Sequence, residues 1–139
     1  MIKIDEEDKT TIMLTRGDST DGYNNKICFT VPYIDESTGD TELKEIQVTD
    51  KISFVVYEKK SYTKKEVIRK NYTLRQLGYE VATKYPELSL TSEDTKKFPL
   101  SNKKITYWYD IVLNDEKTVV GYDEEGAKKI IVYPEAEEK

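Results

Sequence analysis

The sequence predicts an all-β protein, an antiparallel sandwich or barrel with one short helix. Three observations predict it. Apolar residues alternate with a period of two over about eight short runs. Clusters of Gly, Asp, Asn and Ser separate the runs, as hairpin turns require. Only one stretch shifts to a helical period. A chain of 139 residues fits one domain and buries about 68% of its unfolded surface, enough for a core.

The elements follow in order. Thr11-Ile-Met-Leu-Thr15 is a short apolar run. Arg16-Gly17-Asp18 ends it as a turn, because Gly17 adopts positive φ without a steric penalty. Asp21-Gly22 and Asn24-Asn25 continue that loop. Lys26 to Ile34 reads as a strand in which Ile27, Phe29, Val31 and Tyr33 share a face. Pro32 has no N–H to donate, which points to an edge or a strand end. Asp35 to Asp40 is a hairpin turn into a weaker strand over Leu43–Val48. Ile52 to Tyr57 is a strong strand, with Ile52, Phe54 and Val56 on one side. Glu58 to Lys70 is a basic hairpin, its tip in the middle and its return at Glu66–Lys70.

The period changes at Tyr72. Thr73 and Gln76 match a capping box, and Gly78 suits a left-handed C-terminal cap, so a short helix is expected over 73–78. Leu74, Leu77 and Val81 would also share a face in a longer helix to Tyr85, which Pro86 stops. Leu88-Ser-Leu90 is extended, and Thr91–Thr95 is a turn or a single helical turn. Lys104 to Leu113 is the best strand and should lie centrally. Its residues Tyr107, Tyr109, Ile111 and Leu113 face one way. Asn114-Asp115-Glu116 turns into Thr118–Tyr122, Asp123–Gly126 turns again, and Ala127–Tyr133 closes the fold. The expected core is Ile27, Phe29, Val31, Ile52, Phe54, Val56, Tyr107, Tyr109, Ile111, Leu113, Ile130 and Val132.

Composition narrows the chemistry. Hydrophobic residues make up 37%, aromatics 11% and charged residues 35%, too rich in aromatics and β-branched residues for a disordered chain. The net charge of −5 disfavours nucleic acid. The chain contains no histidine and a single cysteine, Cys28. That removes Ser-His and Cys-His catalysis, His-metal sites and internal disulfides. A free Cys28 fits a reducing compartment. The acidic start lacks the apolar core of a signal peptide, and no run approaches the ~18 apolar residues of a membrane span. Residues 1–10 are expected to be a flexible segment, 11–134 the β-sandwich domain, and 135–139 a polar tail.

Few motifs suggest a site. Arg16-Gly17-Asp18 spells an adhesion tripeptide, but its residue types read as a structural turn in which Arg16 pairs with a carboxylate. Asp18 to Gly22 misses the spacing of a calcium loop. Trp108 lies opposite in facing to Tyr107 and Tyr109, so it is a second-layer or exposed aromatic able to anchor a protein interface or stack on sugar. Tyrosine outnumbers phenylalanine, 11 to 3, which suits both a protein interface and a glycan site. Six basic residues lie between Lys59 and Lys70. Trp108, Tyr62, Lys64 and Lys65 are therefore the candidate interaction surface. No carboxylate pair, phosphate loop or activated nucleophile is legible, so no catalytic residue, metal or cofactor is assigned.

Three stretches together carry a family resemblance. They are Ile12-Met-Leu-Thr-Arg-Gly-Asp18, Thr49-Asp-Lys-Ile-Ser-Phe-Val-Val56, and Glu93-Asp-Thr95 followed by Tyr107-Trp-Tyr-Asp-Ile-Val-Leu113 and Lys129–Pro134. Their order resembles the N-terminal immunoglobulin-like domain of baseplate upper proteins from phages of Gram-positive bacteria. Thr49 stands where that family's second motif has Gly, and Lys59 to Pro86 departs from its simpler pattern. The resemblance implies an immunoglobulin-like sandwich acting as a non-enzymatic virion structural or accessory protein, assembled in the bacterial cytoplasm. It implies docking on other phage tail or capsid proteins and an oligomer in the virion, with no nucleic acid or membrane partner. A carbohydrate-binding β-sandwich module is the alternative.

Overall fold

The largest sheet is built around the strand with the cleanest alternation. The computed structural model describes residues 2–4, 10–18, 26–60, 63–121 and 128–135. Its strands are β1 (Ile2–Ile4), β2 (Ile12–Thr15), β3 (Ile27–Cys28), β4 (Pro32–Ile34), β5 (Thr41–Leu43), β6 (Lys51–Lys60), β7 (Thr63–Thr73), β8 (Glu87–Leu88), β9 (Ile105–Leu113), β10 (Lys117–Val120) and β11 (Lys129–Tyr133). The helix α1 (Ser92–Thr95) lies between β8 and β9. Seven strands form one sheet in the order β1-β2-β11-β9-β6-β7, with β10 added on β9. The central position expected for β9 is observed. Two small sheets, β3-β8 and β4-β5, and a bridge from Ile46 to Thr83 account for the other pairings.

The core follows from period-two alternation. Tyr107, Tyr109, Ile111 and Leu113 of β9 pack with Ile52, Phe54 and Val56 of β6 and with Ile130 and Val132 of β11. Ile27, Phe29 and Val31 join them, as expected. Ile12, Leu14, Ile46, Ile68, Tyr72, Leu74, Leu88, Leu90 and Phe98 complete the cluster. Phe98 lies 5.0 Å from the Tyr107 ring, which seats the segment after α1 on the sheet. At the other end of β9, Asn114 and Asp115 both take positive φ, 53° and 58°, as a type I′ hairpin turn requires. The Asn114 amide donates to the Lys51 carbonyl at 2.7 Å, and the Lys51 N–H donates to Asn114 Oδ1 at 2.8 Å. That exchange fixes the start of β6 to the β9–β10 turn.

Several expectations are corrected. The large sheet is mixed, because β11 pairs with β2 in parallel, Ile130 beside Ile12 and Val132 beside Leu14. Strands so far apart in sequence need no hairpin, so nothing forces them to be antiparallel. The sheet also takes in Ile2–Ile4, antiparallel to β2, ahead of the expected start of the domain at residue 11. The strand expected over 26–34 is two strands, β3 on β8 and β4 on β5, with Pro32 opening the second. The strand expected over 43–48 ends at Leu43 and leaves Ile46 in its single bridge. The turns expected at Asp21–Asn25 and Asp123–Gly126 lie outside the described residues.

Over 73–78, where a helix was expected, Thr73 still belongs to β7 and residues 74–78 form a turn. The capping box is present: the Thr73 N–H donates to Gln76 Oε1 at 2.9 Å, and the Gln76 N–H donates to Thr73 Oγ1 at 3.2 Å. The closing bond follows at once, from the Tyr79 N–H to the Leu74 carbonyl at 3.0 Å. Start and stop signals so close together leave no interior over which a costly helical nucleus can propagate. Among the described residues the short helix is instead α1, capped by Thr91.

Asp94 anchors α1. It is buried, accepts from the Thr91 N–H at 2.9 Å, and pairs with Lys70 Nζ at 2.8 Å. Burial alone would raise its carboxyl. The Lys70 and Thr91 hydrogen bonds outweigh burial and hold it below its ordinary value of 3.8. A lowered folded pKa stabilises above the unfolded value, and that contribution disappears as pH falls through the lowered one. The stability gap between the wild type and Asp94→Asn is therefore expected to be constant above about pH 5 and to close below about pH 4. Urea unfolding at a series of pH values measures it.

Candidate functional site

Arg16, Gly17 and Asp18 tie the end of β2 to two other elements. Arg16 Nε donates to the Phe98 carbonyl and Nη2 to the Lys96 carbonyl, both at 2.7 Å. Nη1 pairs with Glu135 Oε1 at 2.5 Å. The Gly17 N–H donates to Thr95 Oγ1 at 2.9 Å, and that hydroxyl donates to the Asp18 carbonyl at 2.7 Å. Gly17 has φ +89°, and a Cβ there would meet Glu135 Oε1 at 3.0 Å. The tripeptide is a staple between β2, α1 and the end of β11. Glu135, assigned from sequence to the tail, is part of it. The indentation beside Arg16, Ile105 and Tyr107 holds about 10 Å³, room for one water.

The more exposed chemistry lies on the outer face of the sheet, away from the core. Trp108 of β9 stands opposite Tyr57 of β6 and Lys129 of β11. Directly opposed residues point to the same side of a sheet, so these three share the outer face. Val55 stands opposite Asp110 beside them. Tyr57 is only 3% exposed and Val55 7%, while Trp108 is half-buried. Lys64 of β7 covers Tyr57: its Nζ lies 4.5 Å from the ring centroid and 3.3 Å from Asp110 Oδ2. The ammonium thus sits over the ring face as a cation–π contact while it pairs with the carboxylate. Burial alone would lower the Lys64 pKa, but the Asp110 carboxylate and the tyrosine hold it above its ordinary value. Burial, aided by Asp110, pushes the Tyr57 phenol up. Gly121 leaves space for Asp110, because a Cβ on it would lie 3.0 Å from Asp110 Oδ1 and 2.6 Å from Thr118 Cγ2.

A bulge decides which lysine reaches this face. Val56 pairs with Ile68 but Tyr57 pairs with Glu66, so Val67 is the extra residue. The insertion flips the parity of β7 toward its start. Lys64 thereby joins Tyr57 on the outer face, and Lys65, opposite Glu58, turns to the other side. Of the four residues expected to form an interaction surface, Trp108 and Lys64 come together through Tyr57, Lys65 stands apart, and Tyr62 lies outside the described residues. Sequence reading missed Tyr57 and Asp110. Their signal was present: Ser53, Val55 and Tyr57 interleave with Ile52, Phe54 and Val56, and a near-continuous run marks a strand covered on both faces.

Cys28 is exposed and its thiol is pushed up, first by burial of the sulfur and then by Glu87. A raised thiol pKa makes a poor nucleophile. Among the described residues, no three carboxylates or thiols gather into a metal-binding group. Fold and face together define a mostly β domain whose large sheet carries an aromatic, ion-paired outer surface. No family model matches the chain, and no curated protein or solved structure is significantly similar to it.

Proposed function

We propose that the chain is a non-enzymatic structural or accessory protein of a phage virion that docks on other tail or capsid proteins. The observation that carries the docking role is the outer face built on Trp108 and Tyr57. Trp108 is half-buried beside the Lys64–Asp110 ion pair, an accessible aromatic with a charged rim as in a protein contact, and the buried Tyr57 opposite it backs that surface. Two further features support the reading. The motif order resembles the baseplate domain named above. The run β11-β9-β6-β7 follows the G-F-C-C′ path of an immunoglobulin-like sandwich, with β3 and β8 paired as B and E.

The docking anchor makes a clear expectation. Trp108 is half-buried, so Trp108→Ala should cost about 1–2 kcal/mol of stability yet remove the protein from assembled particles. Quantitative mass spectrometry of gradient-purified particles reads this out. A fixed copy number for the wild type, lost in the variant, is the expected result. Absence of the wild type from particles sinks the proposal.

The same face favours one second reading, a carbohydrate-binding module. A sugar ring can stack on Trp108 while Asp110 accepts a hydrogen bond from a sugar hydroxyl. Trp108 is the sole tryptophan, so its fluorescence reports directly on this face. An unchanged spectrum through sugar titrations, with no hits on a glycan array, rules this reading out.

A further inference from the structure

We infer that the outer edge of β5 takes up an extended segment of another protein, in which lysine or arginine alternates with apolar residues, as a third strand. The site is separate from the Trp108 face, and the inference does not depend on the virion reading. It starts from the β4–β5 hairpin, a two-stranded sheet that pairs with no other strand among the described residues. Two strands alone are marginally stable in water. This pair is exposed at every strand position except Leu43.

Backbone direction tells the two edges of the hairpin apart. The Asp35 N–H donates to the Asp40 carbonyl at 2.9 Å, and the Lys44 N–H donates to the Val31 carbonyl at 2.8 Å. Along an antiparallel ladder, alternate residues turn their N–H and C=O toward the paired strand and the others turn them away. Pro32 and Ile34 therefore turn theirs outward from β4, and Thr41 and Leu43 outward from β5. Pro32 has no N–H, so the β4 edge is blunted. The β5 edge keeps both donors and both acceptors, and none of them has a partner among the described residues.

Side chains then select the occupant. Opposed residues share a face, which groups Tyr33 with Glu42 on one side and Pro32, Leu43, Ile34 and Thr41 on the other. Alternation puts Asp35 and Asp40 on the Tyr33 side, where the phenol donates to Glu42 at 3.1 Å. One face is acidic. The other is apolar, with Ile34 68% exposed. Residues 32–45 carry Asp35, Glu36, Asp40, Glu42 and Glu45 against Lys44, a net charge of −4. Among the described residues none of these five carboxylates is in an ion pair. A strand laid along β5 alternates its own side chains between these two faces. Cations on one side and apolar residues on the other match both. An acidic segment, or β5 of a second copy, brings like charges together across the ladder. In such strand addition the main chain supplies affinity and the side chains specificity.

An NMR titration of the full chain with a capped peptide of alternating lysine and valine tests this, with a glutamate–valine peptide as control. The lysine–valine peptide should give saturable shifts and slowed exchange at the Thr41 and Leu43 amides, and leave the Trp108 indole unmoved. Binding should weaken at about 1 M salt, where the screening length falls to about 3 Å. Asp40→Lys/Glu42→Lys should weaken it about tenfold. Glu80→Lys/Glu116→Lys has the same net charge and an intact hairpin, so it should bind like the wild type. Thr41→Pro removes an outward donor that the hairpin itself does not use, and should also bind about tenfold more weakly. Unmoved Thr41 and Leu43 amides overturn the inference, as do shifts centred on Trp108 or equal binding of the glutamate–valine peptide. A Glu80→Lys/Glu116→Lys variant as weak as Asp40→Lys/Glu42→Lys overturns it too, because net charge alone would then explain the binding. The peptide comparison uses the wild type alone and stands even if a variant fails to fold.

Discussion

Replacing Tyr109 with alanine is expected to destabilise the protein by about 3–5 kcal/mol and lower its melting temperature by about 10–20 °C. Tyr109 sits in the middle of β9, opposite Val56 of β6. It is 3% exposed, and its ring lies 5.5 Å from Phe54 at a 40° tilt. Truncation removes the ring pair and leaves a cavity where β9 is flanked on both sides by paired strands. The hydroxyl contributes separately, because it donates to the Thr10 carbonyl just before β2. Tyr109→Phe keeps the ring and loses that bond, at a cost of about 1 kcal/mol. Urea unfolding of both variants separates the two contributions. An alanine variant that melts near the wild type would place Tyr109 outside the core.

Arg16→Ala should cost about 2–4 kcal/mol, through lost charge-assisted hydrogen bonds rather than lost apolar area. The guanidinium reaches two carbonyls and a carboxylate in three directions, and its side chain is only 15% exposed. Phe98, whose carbonyl accepts from Nε, is fully buried. Arg16→Lys keeps the charge but not the planar fork, so it should recover less than half of the loss. Glu135→Gln should cost less than about 1 kcal/mol, because that carboxylate is well exposed and its pair is screened. Denaturant unfolding of the three variants ranks them. Equal costs for Glu135→Gln and Arg16→Ala would mean that the ion pair, not the carbonyl bonds, holds the staple.

The legible parts of the fold were those set by local period. Phe54, Val56, Tyr107 and Ile111 alternate with polar or smaller neighbours, and a strand must put such residues on one side. The turns at Asp35–Asp40 and Asn114–Glu116 carried residues that tolerate tight backbone angles. The capping signal at Thr73 was readable yet grew into no helix, whereas Thr91–Thr95, read from sequence only as a turn or a single helical turn, formed one. Asp94 there gains a tertiary partner, Lys70 of β7, and sequence spacing contains no record of it.

The outer face shows the same division. Trp108 was legible as the residue facing away from Tyr107 and Tyr109. Its neighbours Tyr57 and Lys129 come from other strands, and register alone brings them together. The parallel seating of β2 beside β11 likewise depends on how the two ends of the chain meet. By itself the sequence determined which residues alternate, where the chain turns, and which chemistries lack their residue types. The tertiary structure decided which strands are neighbours and, through one extra residue at Val67, that Lys64 rather than Lys65 lies over Tyr57. The physical reason is that facing is a local property of a strand, whereas register is a property of two. A one-residue shift between them reverses every side chain beyond it.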